Sequence, residues 1–186
     1  MTVVGAILAA GSSSRLGRPK QLVVVAGEPL LRRTARLALA SPCSAIAAIV
    51  GARAVEVIPA LADLPVAIVD NPAWSEGVAS SIRAAAAWAE VQGASGLLLM
   101  VCDQPRLTTA HLAALVAEHV RTGAIIGSGY RSTVGVPAVF PSSTFAALGA
   151  LRGDRGARVL LGDAASIDWD DGAIDVDSEA DVAALR

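Results

Sequence analysis

Continuous apolar stretches alternate along the chain with stretches of helical periodicity. The apolar stretches predict strands, because runs without polar alternation suit strands that are covered on both faces. These strands are Val3–Ala9, Ala45–Val50, Val66–Val69, Leu97–Val101, Ala124–Ile126 and Val134–Phe140, with a further short strand at Ile174–Val176. The predicted helices are Pro29–Leu39, Val55–Leu61, Ser75–Val91, Thr109–Val120, Ser142–Leu148, Gly156–Leu161 and Glu179–Leu185.

This alternation predicts an α/β fold in which a doubly wound, mostly parallel sheet carries helices on both faces. Val134–Phe140 contains Pro137, which cannot donate to a strand ladder, so we expect an edge strand or a bulge there. Ligands of such folds bind at the carboxyl ends of the strands. The segments that follow Val3–Ala9 and Leu97–Val101 are therefore the candidates for a ligand site.

The length of 186 residues fits one domain spanning residues 1–186, and a chain of this size buries roughly 70% of its unfolded surface. Hydrophobic residues make up 54% of the chain but aromatic residues only 3%, so alanine, valine and leucine must fill the core. The net charge of −2 gives no broad attraction to nucleic acid or to an anionic membrane, and we expect neither as a partner. Any anion site must be local.

The cysteines Cys43 and Cys102 do not form a CxxC pair, which favours a reducing compartment over a disulfide framework. The apolar start of the chain lacks a basic flank and stops at Gly11, so it is wrongly built for a signal peptide and too short to span a bilayer. We expect a buried strand at this position and a cytoplasmic protein.

The loop after the first strand, residues 8–20, reads Leu-Ala-Ala-Gly-Ser-Ser-Ser-Arg-Leu-Gly-Arg-Pro-Lys. Glycine lets the backbone approach a ligand closely, and backbone N–H groups and serine hydroxyls can donate to phosphate oxygens. Arg15, Arg18 and Lys20 concentrate positive charge in a nearly neutral protein. The loop is therefore a candidate polyphosphate site, while a flexible loop with solvated basic residues stays the alternative.

The spacing of this loop excludes two common phosphate motifs. A P-loop has four residues between its glycines, whereas five residues separate Gly11 from Gly17, and Arg18 follows. A dinucleotide fingerprint needs glycine two positions after the first, where Ser13 stands.

Asp103 follows the most apolar predicted strand, in the sequence Cys102-Asp103-Gln104-Pro105. Its carboxylate is expected at the carboxyl end of that strand, where it could anchor Mg²⁺, an ion that retains several waters. The alternative is an Asp-x-Pro turn that caps the next helix.

The motif Leu8-Ala9-Ala10-Gly11-x-Ser13-x-Arg15-x-Gly17-x-x-Lys20-x-Leu22 resembles the signature loop of the MobA/MocA-like nucleotidyltransferases, nearest to their molybdenum cofactor cytidylyltransferase branch. The resemblance implies a Rossmann-like nucleotidyltransferase fold with an antiparallel edge segment. It also implies that the nucleotide phosphates are cradled by the loop and that the reacting phosphates are neutralised by Arg15 and Lys20. The implied cradle consists of Ala9, Ala10, Gly11, Ser12 and Ser13, and Asp103 becomes the metal ligand.

The segment from Asn71 to Ser81 resembles the part of that family that lies beside the nucleobase and sugar. Gly77 would permit a close approach, and Asn71, Ser80 and Ser81 are the candidate nucleotide contacts. The alternative is structural, with Trp74 packed under the loop and Ser75 as the N-cap of the following helix.

Near the end of the chain, the acidic cluster 175–181 resembles a terminal family motif in which the place of Asp177 is a second metal ligand. Capping of the last helix by Asp177 or Ser178 is the alternative interpretation.

Two further segments bear on the acceptor. Val136 stands where the family usually has histidine in Gly-His-Pro. Arg155 and Arg158 belong to a Gly-Asp-x-Gly-Ala-Arg-like segment that could meet an acceptor phosphate, while N-capping by Asp154 with exposed arginines is the alternative. The histidines His111 and His119 are eight residues apart, which does not suit a helical metal site, and we expect structural roles for them.

The resemblance implies transfer of CMP from CTP, or of another nucleotide from its NTP, to a molybdopterin-type phosphate acceptor, with Mg²⁺ as cofactor and pyrophosphate as the second product. A molybdenum enzyme or its chaperone would then be a further partner. Two alternatives are a nucleotidyltransferase that acts on a sugar or polyol phosphate, and a non-catalytic nucleotide-binding accessory protein for a molybdenum enzyme.

Overall fold

The structure is a computed structural model that describes residues 1–14 and 16–184. Its strands are β1 Val3–Leu8, β2 Val24–Val25, β3 Glu28–Pro29, β4 Ile46–Val50, β5 Ala67–Asp70, β6 Gly96–Val101, β7 Ile126–Tyr130, β8 Thr133–Pro141 and β9 Ala165–Asp168. Its α-helices are α1 Leu30–Leu39, α2 Ala54–Val57, α3 Val78–Val91, α4 Thr109–Thr122, α5 Phe145–Gly149 and α6 Glu179–Ala184. Short 3₁₀ turns connect several of these elements, among them Ile58–Leu61 and Asp170–Ala173.

Seven strands form one sheet in the order β5-β4-β1-β6-β8-β7-β9, and β2 and β3 form a separate small hairpin. Strands β5, β4, β1 and β6 pair in parallel, whereas β8 is antiparallel to both of its neighbours. Leu8 is paired with Val101 at the last position of β1 and β6. The first loop and the Asp103 segment therefore leave the sheet side by side.

Side chains of β1 and β6 alternate between two apolar layers, as expected for a sheet that is covered on both faces. Val3 and Ile7 pack with residues of α1, α2 and α4, while Val4 and Ala6 pack with residues of α3 and α5. Small alanines of α3 lie directly on the sheet, which lets that helix approach closely. In the described part of the chain, no helix has both the length and the apolar character needed to cross a membrane.

The α/β fold with a mostly parallel sheet is confirmed, but its antiparallel strand is internal and does not form an edge. Strand β8 tolerates Pro137 because the ladder to β7 is interrupted there: Ser128 pairs with Gly135 and Ile126 with Val139. The bulge alternative for this strand is therefore confirmed. Pro137 lies where the ladder to β7 is already interrupted, so its missing N–H costs no ladder hydrogen bond.

One prediction of secondary structure at the C-terminal end was wrong. Ile174–Val176 is not a strand, because Val176 is buried in a small cluster with Leu16 and Leu30 and its N–H donates to the Asp103 carbonyl. The seventh strand of the sheet is β9 instead. Leu185, the last residue of the predicted final helix, lies outside the described residues.

Both histidines are structural, as the sequence predicts. His111 of α4 is stacked on Trp169, with ring centroids 4.6 Å apart, and its Nε2 lies 2.8 Å from the Ser128 hydroxyl. That hydroxyl donates to the carbonyl of Pro137, so His111 Nε2 carries the proton and donates to Ser128. Burial lowers the pKa of His111 from its ordinary 6.5 to about 4.

This lowered pKa predicts a loss of stability in mild acid. His111 takes up a proton near pH 6.5 in the unfolded chain but only near pH 4 in the folded one, so stability falls as the pH drops through this window. Asp63 and Glu76, whose pKa values are lowered to about 2 by their arginine partners, lose their contributions only at lower pH. We expect the urea midpoint of His111→Gln to depend less on pH between 6.5 and 4.5 than that of the unaltered protein. An unchanged pH dependence would contradict the assignment of this stability loss to His111.

Candidate functional site

The first loop folds around the buried amide of Gln21. Its Nε2 donates to the carbonyls of Ala9 and Gly11 at 2.8 Å and 3.0 Å, and its Oε1 accepts from the Ser13 hydroxyl at 3.2 Å. All hydrogen-bonding groups of this side chain are therefore used on the loop itself. Buried side-chain amides with full sets of partners fix the backbone that they touch.

Ser13 makes the sharpest turn of the loop, with a φ of 55°, in the left-handed region. Its side-chain oxygen accepts from the N–H of Lys20 at 3.0 Å. Within residues 1–14 and 16–184, the N–H groups of Gly11 and Ser12 have no acceptor, which leaves them available to an anion. Arg15, the predicted partner of Lys20 in phosphate neutralisation, lies outside the described residues.

The ammonium of Lys20 joins two carboxylates from distant parts of the chain. Its Nζ lies 2.5 Å from Asp103 Oδ2 and 3.0 Å from Asp177 Oδ1. Asp103 follows β6 and Asp177 precedes α6, so three segments meet at one cation. The structure thus brings together three residues that the sequence predicts to act jointly.

The neighbouring carboxylates keep the Lys20 ammonium protonated. Burial alone would lower the pKa of Lys20, but Asp103 and Asp177 outweigh it and raise that pKa above its ordinary value. Lys20 is therefore cationic at neutral pH. The neighbouring Cys102 is fully buried, which raises its pKa to about 12, so its thiol stays protonated and is no nucleophile.

The acidic cluster serves two purposes. Ser178 accepts from the N–H of Asp181, while the Asp181 carboxylate accepts from the N–H groups of Asp177 and Ser178 at 3.1 Å and 2.7 Å. This reciprocal pair is a capping box at the start of α6. Capping by Ser178 is thus confirmed, and it leaves the Asp177 carboxylate directed at Lys20.

The polar residues predicted as nucleotide contacts around the start of α3 differ in whether they reach the cleft. Asn71 is buried and donates to the hydroxyls of Ser80 and Ser81 at 2.9 Å and 3.0 Å. Ser80 is buried too and donates to the carbonyl of Gly77. Neither Asn71 nor Ser80 presents its side chain to the cleft, because both are saturated within the protein, whereas Ser81 lines it.

Two alternatives for this segment were wrong. Ser75 is not the N-cap of α3, since it lies in a 3₁₀ turn and Gly77 occupies that place with a φ of 118°. Trp74 is not packed under the loop but is 39% exposed at the cleft. A side chain at Gly77 would meet the carbonyl of Gly153 at 2.6 Å, so only glycine allows the 153–154 loop to close against this segment.

These segments surround an open cleft of about 420 Å³ at the carboxyl ends of β1 and β6. The predicted residues at its wall are Ala10, Gly11, Ser12, Lys20, Gly77, Ser81 and Asp103. Ser13 and Asp177 line an adjoining opening that also contains Lys20. Ala9 is buried, and it contributes a backbone carbonyl to Gln21.

A second pocket, of about 450 Å³, shares Leu8, Val78 and Val101 with the cleft. Its floor is apolar and includes Val136 and Leu161. Its polar groups are Tyr130, Arg131, Thr133 and Arg158, and the Arg158 guanidinium donates to the Thr133 hydroxyl. Arg158 thus lines a pocket beside the cleft, whereas Arg155 lines neither the cleft nor this pocket.

Sequence reasoning missed three residues that shape the site. Gln21 and Gln104 are buried amides directly beside Lys20 and Asp103, and a lone polar amide next to a candidate charged residue is the signal that could have found them. Tyr130, the single tyrosine of the chain, lies over Gly135, where any side chain would collide with its hydroxyl.

Several known proteins are similar to the chain. It is 35% identical over 169 residues to the nicotine blue oxidoreductase of Paenarthrobacter nicotinovorans, covering 86% of the chain and 81% of that protein. It is 30% identical to the purine catabolism protein PucB of Bacillus subtilis strain 168, covering 86% and 80%. A probable molybdenum cofactor guanylyltransferase of Synechococcus elongatus is 37% identical over 115 residues, covering 61% and 57%.

Among solved structures, the Rv0371c protein of Mycobacterium tuberculosis in complex with manganese superposes with a TM-score of 0.78 at 28% identity, covering 100% of the chain and 97% of that structure. Residues 5–168 match the family described as the MobA-like NTP transferase domain. That match spans most of the chain, and the protein belongs to this family of nucleotidyltransferases.

Proposed function

We propose that the protein is a Mg²⁺-dependent cytidylyltransferase that transfers CMP from CTP to the phosphate of a molybdopterin-type acceptor and releases pyrophosphate. The observation that carries the proposal is the meeting of Lys20, Asp103 and Asp177 beside the first loop, where the N–H groups of Gly11 and Ser12 have no acceptor among the described residues. Such a set can hold the triphosphate and offset the charge that develops during transfer.

The carboxylates of Asp103 and Asp177 fit a hard divalent cation. They already converge on one positive charge, the ammonium of Lys20. In the described part of the chain, no group of three or more His, Cys, Asp or Glu side chains could hold a metal. Two carboxylates suit Mg²⁺, which takes its remaining ligands from water and substrate phosphates. When bound there, Mg²⁺ would neutralise charge on the α-phosphate and the leaving pyrophosphate.

The residues of the site would bind and orient the reactants. The N–H groups of Gly11 and Ser12 would donate to triphosphate oxygens, and Lys20 would turn from the carboxylates to the phosphates, with Arg15 as its proposed neighbour. An oxygen of the acceptor phosphate attacks the α-phosphorus of CTP. The bond between the α-phosphorus and the bridging oxygen to the β-phosphate breaks, and pyrophosphate leaves with that electron pair. No protein nucleophile takes part.

Ser81 would contact the base. The amide of Asn71 donates to Ser81 Oγ, and in the described part of the chain the hydroxyl hydrogen of Ser81 has no acceptor. Ser81 is thereby set as a donor, which complements the acceptor atoms O2 and N3 of cytosine. Since a donor also suits the O6 and N7 acceptors of guanine, the choice of CTP is supported by the first loop, whose Leu-Ala-Ala-Gly start and Pro19-Lys20-Gln21-Leu22 resemble the cytidylyltransferase branch.

The second pocket supports an acceptor with a flat ring system and an anionic group. An apolar floor with a few polar groups at the rim is typical of sites for heterocycles. Val136, in place of the histidine usual in the family, makes the floor more apolar. A sugar or polyol phosphate would bury hydroxyl groups without enough partners there. We therefore favour a molybdopterin-type acceptor, whose product a molybdenum enzyme or its chaperone would receive.

The test is pyrophosphate release with Mg²⁺, molybdopterin and either CTP or GTP. We expect release with CTP, reduced about 100-fold or more in Asp103→Asn, which keeps the shape of the side chain but removes its charge. Release with GTP alone would move the protein to guanylyl transfer. Nucleotide binding without release in any pairing would overturn the proposal and favour another acceptor or an accessory role.

The role of Ser81 is tested by a matched pair of neighbouring serines. Ser81→Ala removes the proposed donor to the base and should raise the dissociation constant for CTP about 2- to 10-fold, the worth of one neutral hydrogen bond. Ser80→Ala removes a hydroxyl that is used only inside the protein and should leave CTP affinity unchanged. Equal effects of the two substitutions in a binding titration would refute base recognition by Ser81.

A further inference from the structure

The side chain of Gln104 connects three parts of the site. It is buried, and its Nε2 donates to the carbonyl of Val136 at 3.1 Å and to the carbonyl of Gly172 at 3.2 Å. Val136 forms part of the floor of the second pocket, and Gly172 lies in the turn that leads to Asp177. Gln104 directly follows Asp103 in the sequence. Its amide therefore connects the segment of Asp103 to the turn before Asp177 and to Val136 in the floor of the second pocket.

The orientation of this amide is fixed by its partners. Both contacted atoms are carbonyl oxygens, which only the NH₂ end of the amide can satisfy. The other end, Oε1, is buried without a hydrogen-bond partner in the described part of the chain. Turning the amide over would set its oxygen against two carbonyls, which is worse. The chain thus bears the cost of a buried unpaired acceptor to keep these two contacts.

The same two segments are held by one backbone contact and one surface contact. The N–H of Val176 donates to the carbonyl of Asp103 at 2.9 Å. Outside, Arg106 pairs with Asp171 at 2.8 Å, but both side chains are about half exposed. Such an exposed pair contributes little, whereas Gln104 is a buried side chain that hydrogen-bonds the turn at Gly172 directly to the segment of Asp103.

We propose that Gln104 is a positioning residue that sets the distance between the carboxylates of Asp103 and Asp177. Through Val136 it also links that distance to the floor of the second pocket. It acts through its neighbours and does not touch the substrate. The inference rests on the proposed function, since it assigns the carboxylate pair to a metal. Loss of the amide should weaken metal binding and raise the KM for the acceptor, while nucleotide affinity without metal stays unchanged, because the first loop is held by Gln21.

The experiment uses Gln104→Met, which keeps the length of the side chain but donates no hydrogen bond. Mn²⁺ affinity is measured by titration in the presence of α,β-methylene-CTP, and CTP affinity is measured without metal. We expect Mn²⁺ affinity to fall about 10-fold or more, the usual effect of removing a group that orients metal ligands. Gln104→Asn, too short to reach both carbonyls, is the second variant should methionine prevent folding, and the same direction is expected.

Two controls separate positioning from general damage. Arg106→Gln breaks the exposed contact between the same segments and should leave Mn²⁺ affinity unchanged. Gln21→Met should show the opposite pattern to Gln104→Met, with CTP affinity lost in the absence of metal, because Gln21 holds the loop carbonyls of Ala9 and Gly11.

The outcomes are distinct. Unchanged Mn²⁺ affinity in both Gln104 variants would overturn the positioning role while leaving the proposed function intact. Equal losses of metal-free CTP affinity and Mn²⁺ affinity would overturn it as well, since the residue would then only support the fold. If the unaltered protein bound no Mn²⁺ with the nucleotide analogue, the metal site would fail first, and this inference with it.

Discussion

The rest of the site depends on the contact of the Lys20 ammonium with Asp103 and Asp177. Charges that are partly removed from water are costly unless they are compensated, and here the Lys20 ammonium pairs with both carboxylates. Three segments that are remote in sequence are held together in this way. The same arrangement creates a place that favours a cation between two carboxylates. Under the proposed function, a metal ion would take that place when a triphosphate offers Lys20 new anionic partners.

The sheet and two buried glutamines make this contact possible. The register of β1 and β6 places Leu8 beside Val101, so the first loop and Asp103 emerge together. Gln21 then holds the loop by its carbonyls, and Gln104 fastens the turn before Asp177. Neither amide carries charge, but both decide where the charged groups lie. The geometry of a transferase site is therefore specified largely by neutral side chains beneath it.

Much of this could be predicted from the sequence, because β1, β4, β5 and β6 are continuous apolar runs and because the first loop and Asp103 follow two of them. Other parts could not. Strand β9, Ala165–Asp168, has no continuous apolar run, because Ser166 and Asp168 interrupt it. The sequence predicts a strand at Ile174–Val176, but the side chain of Val176 packs in a small cluster beside Leu16. The resemblance predicts Asn71 and Ser80 as nucleotide contacts. In the structure their side chains hydrogen-bond within the protein, and the sequence does not show such pairing.

In the proposed function, Lys20 holds the place between two carboxylates that a metal would take when nucleotide binds. A crystal structure with Mn²⁺ and α,β-methylene-CTP, with data recorded at a wavelength where manganese scatters anomalously, tests this exchange. We expect one manganese peak within about 2.0–2.3 Å of oxygens from both Asp103 and Asp177, with Lys20 Nζ moved onto the phosphates. A manganese ion bound elsewhere, with Lys20 still bridging the two carboxylates beside a bound nucleotide, would contradict it.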